Sequence, residues 1–125
     1  MFRETNAFGG FSVDNLQKAK AFYGDTLGLD LSEVEEMSIL QLHIAGSNDL
    51  ILYEKPNHTP ATFTVLNFPV DDIDQAVKDL KALGVPFESY DFPELKTDEN
   101  DISRANPSIA WFTDPAGNIL SVIQK

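Results

Sequence analysis

Hydrophobic and polar positions follow a helical period in two stretches of the chain. In the later stretch, apolar residues recur every three or four positions and polar residues occupy the other face, which predicts an amphipathic helix. Its apolar face consists of Ile73, Ala76, Val77, Leu80 and Leu83. The earlier stretch predicts a second helix of the same kind. Its buried side consists of Leu16, Ala19, Phe22, Tyr23 and Leu27.

Polar residues and glycines mark where these helices begin and end. Asp14 is predicted to cap the first helix, with Gln17 three residues on as in a capping box. Asp71 or Asp72 can cap the second helix. Gly28 and Gly84 follow the last apolar positions, where a helix end favours a left-handed backbone.

Short apolar runs bounded by turn residues predict strands around each helix. One strand precedes each helix, over residues 7–13 and 62–70. Three strands follow each helix: 30–36, 38–45 and 50–55 in the first half, and 86–90, 108–113 and 118–124 in the second. Each half therefore has the order β-α-β-β-β.

The two halves also share a sequence frame. The segment Phe11–Ala19 matches Phe68–Ala76 at an offset of 57 residues, with the common pattern F-x-V-D-[ND]-[LI]-x-x-A. The chain is therefore predicted to be a single α+β domain, 1–125, made of two tandem βαβββ modules, 1–58 and 59–125. A four-stranded sheet with one helix cannot bury both of its faces, so we expect the modules to pack together.

Composition removes several classes of function. The chain has 125 residues, no cysteine, two histidines and a net charge of −11. Without cysteine there is no disulfide, thiolate zinc site or cysteine nucleophile. The acidic charge argues against nucleic acid and anionic membrane as partners. The N-terminus does not resemble a signal peptide and no apolar run approaches the ~20 residues of a membrane span, so a cytoplasmic location is expected.

One segment has neither helical nor strand periodicity. It lies between Tyr90 and Ser108, and residues 91–101 carry five acids and one base. Long irregular loops are commonly either solvated and mobile or lids over a site. Both interpretations are open for this loop.

Three motifs, in order, resemble a known superfamily. The run V-D-N-L-x-K-A-x-x-F-Y-x-x-x-L-G from Val13 to Gly28 resembles the first helix of the vicinal oxygen chelate proteins. These include glyoxalase I, the bleomycin-resistance proteins and the extradiol dioxygenases. Val70–Val77 resembles the second-module counterpart, and Phe112–Leu120 resembles the closing F-x-D-P-x-G-N-x-[IL] motif. The resemblance implies a curled mixed sheet with helices outside, a cupped surface for a small molecule, and a homodimer.

The resemblance also locates the four positions from which the metal enzymes of the superfamily take their ligands. Here these positions hold Phe8, Leu52, Val65 and Ser121, although the second could slip by one residue to Ile51 or Tyr53. The hydroxyl of Ser121 is a poor ligand and the other three have no donor atom, so no metal and no cofactor are predicted. A site rebuilt elsewhere would use Gln41, His43, Glu54 and His58.

The same positions and their alternating neighbours define a predicted ligand-binding set. Its members are Phe8, Ser12, Leu52, Glu54, Val65, Asn67, Trp111 and Ser121. Mostly apolar residues with a few hydrogen-bonding groups are the usual lining of a small-molecule pocket. The alternative is that Phe8, Leu52 and Val65 pack a closed core.

Three functions remain open at this point. The first is a metal-independent protein that binds a small molecule and could sequester a toxic compound. The second is an enzyme, either related to the glyoxalase lyases and isomerases or the dioxygenases, or metal-free with Glu54, His43 or Tyr53 as acid or base. Its catalytic residues are otherwise unassigned. The third is an interaction protein that docks a partner through residues 91–101.

Overall fold

The first half of the chain forms a four-stranded sheet with a helix against one face. The computed structural model describes residues 1–125, and the chain divides into a first unit, Met1–Thr59, and a second unit, Pro60–Lys125. The elements of the first unit are β1 (Gly10–Val13), α1 (Leu16–Lys20) continued by a π-helix (Ala21–Thr26), β2 (Asp30–Val34), a 3-10 turn (Glu35–Met37), β3 (Ile39–His43) and β4 (Leu50–Glu54). The strand order is β1-β4-β3-β2, with β1 parallel to β4 and the other pairs antiparallel.

The second unit has the same plan with a smaller sheet. Its elements are β5 (Thr64–Pro69), α2 (Ile73–Ala82), β6 (Asp91–Phe92), β7 (Leu95–Lys96), β8 (Ser108–Thr113) and β9 (Ile119–Gln124). The main sheet has the order β5-β9-β8, with β5 parallel to β9, and β6 and β7 form a separate hairpin. The predicted α+β class with mixed sheets is confirmed, and no sheet closes on itself.

One predicted strand, residues 86–90, is only partly present. Phe87 makes a single bridge to Phe112, Glu88 donates to the Trp111 carbonyl at 2.8 Å, and Thr113 donates to the Pro86 carbonyl at 3.3 Å. The segment thus lies beside β8 without forming a regular ladder. Pro86 has no N–H to donate, which limits pairing at this position.

Both helices begin in the same way, and the first does not begin as predicted. Asn15, not Asp14, caps α1, because the Asn15 backbone is extended and its side chain accepts a hydrogen bond from the Lys18 N–H at 3.0 Å. Asp72 caps α2, with its side chain accepting from the Gln75 N–H at 3.1 Å. Asn15 and Asp72 stand 57 residues apart, which is the offset of the sequence repeat.

A second acceptor at each helix start comes from the last strand of the same unit. Glu54 on β4 accepts a hydrogen bond from the Leu16 N–H at 2.9 Å, and Gln124 on β9 accepts from the Ile73 N–H at 2.8 Å. These bonds satisfy backbone donors that have no partner within a helix. They also show that the Glu54 and Gln124 side chains point to the helix side of their sheets.

The first helix changes its winding after one turn. The predicted continuous helix is α-helical over Leu16–Lys20 and π-helical over Ala21–Thr26, where the Leu27 N–H donates to the Phe22 carbonyl at 2.9 Å. The predicted left-handed glycines are confirmed, with φ of 72° at Gly28 and 84° at Gly84.

The core of each unit lies between its helix and the facing side of its sheet. In the first unit it contains Val13, Leu16, Ala19, Phe22, Tyr23, Leu40, Leu42 and Leu52. In the second it contains Ile73, Val77, Ala110, Phe112, Leu120 and Val122. Leu83, predicted on the buried face of its helix, is 60% exposed because it follows the last turn of α2. No helix in the chain combines the length and the apolar composition needed to cross a membrane.

Candidate functional site

The sheet of the first unit has one face turned away from α1, which we call the open face. Side chains alternate along a strand, so residues two positions apart share a face. Glu54 reaches α1, and Leu52 therefore lies on the helix side, whereas Ile51 and Tyr53 lie on the open face. The pairing registers extend this face across the sheet to Ser12, Ser32, Ile39, Gln41 and His43.

A depression of about 530 Å³ lies on the open face. Its lining combines apolar and hydrogen-bonding side chains: Asn6, Phe8, Gln41, Ser47, Asn48, Asp49 and Ile51. Phe8 is 64% exposed, so its ring presents apolar surface to solvent.

The backbone that carries Phe8 is held against β4. Asn48 donates from its side chain to the Ala7 carbonyl at 2.6 Å, and the Ile51 N–H donates to the Gly9 carbonyl at 3.1 Å. A Cβ at Gly10 would lie 2.7 Å from an Ile51 side-chain atom and 3.0 Å from its carbonyl oxygen. Glycine is therefore required at position 10 for this close approach of the two strands.

The predicted binding residues of the first unit lie on both sides of the sheet. Phe8 lines the depression, and Ser12 lies on the open face with its Oγ 2.6 Å from Nδ1 of His58. Leu52 has no exposed surface and packs in the core, and Glu54 accepts from the first helical N–H of α1. The structure does not bring Leu52 and Glu54 to the face that carries Phe8 and Ser12.

The registers of the two units explain this placement. Gly10 pairs with Ile51, and Asn67, which is 57 residues later, pairs with Ser121. Ile51 is thus the counterpart of Ser121, while Leu52 corresponds to Val122. The one-residue slip to Ile51 that the sequence left open is the register of the structure, and such a slip moves a side chain to the other face.

In the second unit, three predicted residues form a row across the sheet. Asn67 pairs with Ser121 and Ser121 pairs with Trp111, so the three share the face opposite α2. Ser121 is fully buried and donates from Oγ to Oδ1 of Asn67 at 2.5 Å. Val65 lies at a register irregularity between Thr64 and Leu66, next to this row.

An aromatic pair adjoins this row. The Tyr90 ring meets Trp111 edge to face, with centroids 5.4 Å apart. Partial burial, and then the negative charge of Glu88, raise the pKa of the Tyr90 hydroxyl. Tyr90 therefore stays neutral throughout the ordinary pH range and acts here as an aromatic contact of Trp111.

The sequence did not predict one cluster on the open face. Nδ1 of His43 lies 3.0 Å from Oδ2 of Asp49, and Nε2 of His43 lies 2.8 Å from Oγ of Ser32. His43 was noted in the sequence, but Ser32 and Asp49 were not. The antiparallel pairing of β2 with β3 could have identified Ser32 as a neighbour of His43, because this pairing brings the two residues together although they are 11 positions apart in sequence.

The acidic segment after Tyr90 is ordered by several charged contacts. Arg104 donates to Asp74 on α2 at 2.5 and 3.0 Å and to Asp98 at 2.8 Å. Lys81 on α2 pairs with Asp101 at 2.9 Å. Residues 91–96 form the β6–β7 hairpin, and Ile102 is buried. These contacts attach the segment to α2 in its own unit.

The four family metal positions do not fit a metal ion. With the register of the structure they hold Phe8, Ile51, Val65 and Ser121, of which only Ser121 has a polar side-chain atom. That hydroxyl is already engaged with Asn67. Both histidines have serine neighbours, and no group of three or more His, Asp or Glu side chains could hold a metal.

Comparisons with known proteins agree on one family. Residues 8–122 match the family described as the glyoxalase/bleomycin resistance protein/dioxygenase superfamily. TnmS3, an antibiotic binding protein from Streptomyces sp. CB03234, is 26% identical, with a TM-score of 0.65 and 97% of each chain covered. No curated protein matches the chain.

Two further solved structures share the fold at lower identity. A member of the same superfamily from Sphaerobacter thermophilus DSM 20745 is 20% identical over 100% of both chains, with a TM-score of 0.71. The fosfomycin resistance protein FosX from Listeria monocytogenes is 15% identical, with a TM-score of 0.72 and coverage of 98% of this chain and 93% of that one.

Proposed function

The chain belongs to the glyoxalase/bleomycin resistance protein/dioxygenase superfamily, and from this premise we propose that it binds a small organic molecule without a metal ion. The molecule lies on the open face of the first unit, in the depression beside Phe8. The biological role is sequestration of a toxic compound such as an antibiotic. Similarity to an antibiotic binding protein supports this class of ligand.

The depression is the observation that carries the proposal. Its volume of about 530 Å³ falls within the roughly 300–1,000 Å³ typical of ligand pockets. The exposed ring of Phe8 and the side chain of Ile51 supply apolar contact, and the amides of Asn6, Gln41 and Asn48 supply donors and acceptors that can orient a ligand.

The other predicted residues have distinct parts in this proposal. Ser12 adds a hydroxyl on the same face as Phe8, while Leu52 and Glu54 support the sheet and α1 from behind. In the second unit Asn67 and Trp111, with Val65 beside them, are proposed as a second contact surface for ligand, and the buried Ser121 holds the Asn67 side chain through its hydroxyl. We further propose that the protein is a cytoplasmic homodimer.

Isothermal titration calorimetry tests the proposal, with bleomycin, fosfomycin, tetracycline and doxorubicin as probes. We expect saturable binding of at least one probe, and Phe8→Ala should weaken it roughly tenfold or more, because burying an aromatic ring stabilises a complex by about 1.5–3 kcal/mol. Phe92→Ala is the matched control, since Phe92 is also an exposed phenylalanine, at 52%, but lies on the β6–β7 hairpin.

Two results would contradict the proposal. One is the absence of saturable heat with every probe. The other is binding that Phe8→Ala and Phe92→Ala weaken equally, since that would place the ligand away from the depression.

A further inference from the structure

Three side chains on the open face are arranged in series. Oδ2 of Asp49 lies 3.0 Å from Nδ1 of His43, and Nε2 of the same ring lies 2.8 Å from Oγ of Ser32. When Nδ1–H donates to the Asp49 carboxylate, Nε2 is left as the acceptor for the Ser32 hydroxyl. This is the carboxylate–imidazole–hydroxyl order that activates serine nucleophiles on unrelated folds.

The fold holds each member on a separate element. Ser32 lies on β2, the edge strand, and is exposed, as a nucleophile that must meet a substrate requires. His43 ends β3, and its side chain is 31% exposed. Asp49 immediately precedes β4 and also lines the depression, so the cluster adjoins a space that can hold a substrate.

A further polar side chain lies next to Ser32 on the open face. Gln41 is the direct cross-strand partner of Ser32, on the same face of the sheet, and it lines the depression. Side-chain amides of glutamine and asparagine serve as oxyanion donors when they are aimed at the reacting carbonyl.

We propose that Ser32, His43 and Asp49 form a nucleophilic triad that hydrolyses small carboxylic esters at the edge of the depression. This activity goes beyond ligand binding and does not depend on it. His43 accepts the Ser32 proton, Asp49 orients the ring and stabilises its charged form, and Gln41 donates to the oxygen of the tetrahedral intermediate.

The bonds and protons of this hydrolysis balance without a metal or a redox partner. The Ser32 oxygen bonds to the ester carbon, and its proton passes to Nε2 of His43. The ester C–O bond then breaks, and the alcohol leaves with that proton. Water next adds to the acyl-serine and gives its proton to His43, which returns it to Ser32 as the carboxylic acid departs.

Covalent labelling provides the most direct test. A fluorophosphonate probe bonds to an activated serine oxygen as the P–F bond breaks and fluoride leaves. We expect peptide mass spectrometry of the full chain to find the label on Ser32, and His43→Gln to reduce the labelling rate roughly a hundredfold or more, as loss of a general base does. Labelling of the unaltered protein shows which serine reacts, even if a variant folds poorly.

Hydrolysis of p-nitrophenyl acetate provides the second readout. Ser32→Ala and His43→Gln should each lower kcat/KM roughly a hundredfold or more, and Asp49→Asn should lower kcat at least tenfold with a smaller change in KM. Ser108→Ala is the matched control, because Ser108 is a serine on β8, the edge strand of the other sheet, and should leave the rate unchanged.

The proposal is overturned if Ser32 is not labelled, if another serine is labelled instead, or if Ser32→Ala and Ser108→Ala hydrolyse the ester equally fast. None of these results bears on the calorimetric test of ligand binding. If a probe binds saturably, Phe8→Ala abolishes that binding, and Ser32 is not labelled, then the binding function is supported and the hydrolytic activity is contradicted.

Discussion

Two neighbouring residues on β4 have opposite environments, although both are aliphatic. Leu52 has no exposed surface and packs beneath α1, whereas Ile51 is partly exposed and lines the depression. The Glu54 contact with α1 and the strand registers fix this choice of face. Ile51 therefore belongs to the proposed binding surface, and Leu52 belongs to the core.

Alanine substitutions at these two positions should therefore have different effects. Leu52→Ala should lower the free energy of unfolding by about 2–5 kcal/mol, because it leaves a cavity in the core. Ile51→Ala should lower the free energy of unfolding by less, since the Ile51 side chain is already partly exposed to water. Urea unfolding of the two variants measures the difference, and an equal or reversed order would contradict the assigned faces.

The same pair shows what the sequence could and could not predict about the site. The repeat located the four family positions to within one residue, but alternation makes that residue decisive for the side of the sheet. The contact between His43, Ser32 and Asp49 was missed because it depends on the β2–β3 register and the turn before β4, not on a motif in the chain.

At the scale of elements, the positions of both helices and of most strands along the chain were predicted from the sequence, and the exceptions have local causes. Asp14 and Asn15 are both good capping residues, and Asn15 is the cap because its backbone is extended and its side chain accepts from the Lys18 N–H. The sequence of segment 86–90 predicts a strand, but Pro86 limits the pairing of this segment with β8. The acidic segment 91–101 has no periodicity, and its ion pair with α2, from Lys81 to Asp101, joins charges 20 residues apart in sequence.

Arg104, three residues after that segment, joins Asp98 within it to Asp74 on α2. Its hydrogen bonds lower the pKa of Asp74. At Asp98, partial burial raises the pKa, but hydrogen bonds from Arg104 and from the Ile102 and Asn100 backbone outweigh it, and the net pKa is lowered. A carboxyl whose pKa is lowered by folding stabilises the protein above its unfolded pKa and loses that contribution as the pH falls through its folded pKa.

Arg104→Gln should accordingly lower the melting temperature at neutral pH. The difference from the unaltered protein should shrink once the pH is well below the ordinary aspartate value of 3.8, where both carboxyls are protonated in either protein. Lys96→Gln, an exposed cation on β7, is the control. If Arg104→Gln lowered the melting temperature by the same amount at neutral and at strongly acidic pH, that result would contradict this role of Arg104.

At the scale of the whole molecule, the sequence predicted the family more securely than the activity. Three motifs in order indicated the superfamily, and this prediction is confirmed over residues 8–122. The fold hosts several activities, so the site alone decides the chemistry. Here three of the four family metal positions have no donor atom, and the hydroxyl of the fourth, Ser121, bonds to Asn67. The net charge of −11 favours uncharged or cationic ligands over anionic ones.

The proposed metal independence has a direct consequence for the purified protein. Elemental analysis should find less than stoichiometric zinc, nickel, manganese or iron, and a chelator should change neither the melting temperature nor the binding of a probe. Stoichiometric metal, or a saturable rise in melting temperature on adding one of these ions, would contradict metal independence.

The central claim is that a small molecule binds on the open face of the first unit. The most direct test is an amide ¹H–¹⁵N NMR titration of the full chain with the tightest-binding probe from calorimetry. We predict saturable shifts concentrated at residues 6–10, 41 and 47–51, which surround the depression. Shifts confined to other segments, or none in these residues at saturation, would contradict the claim.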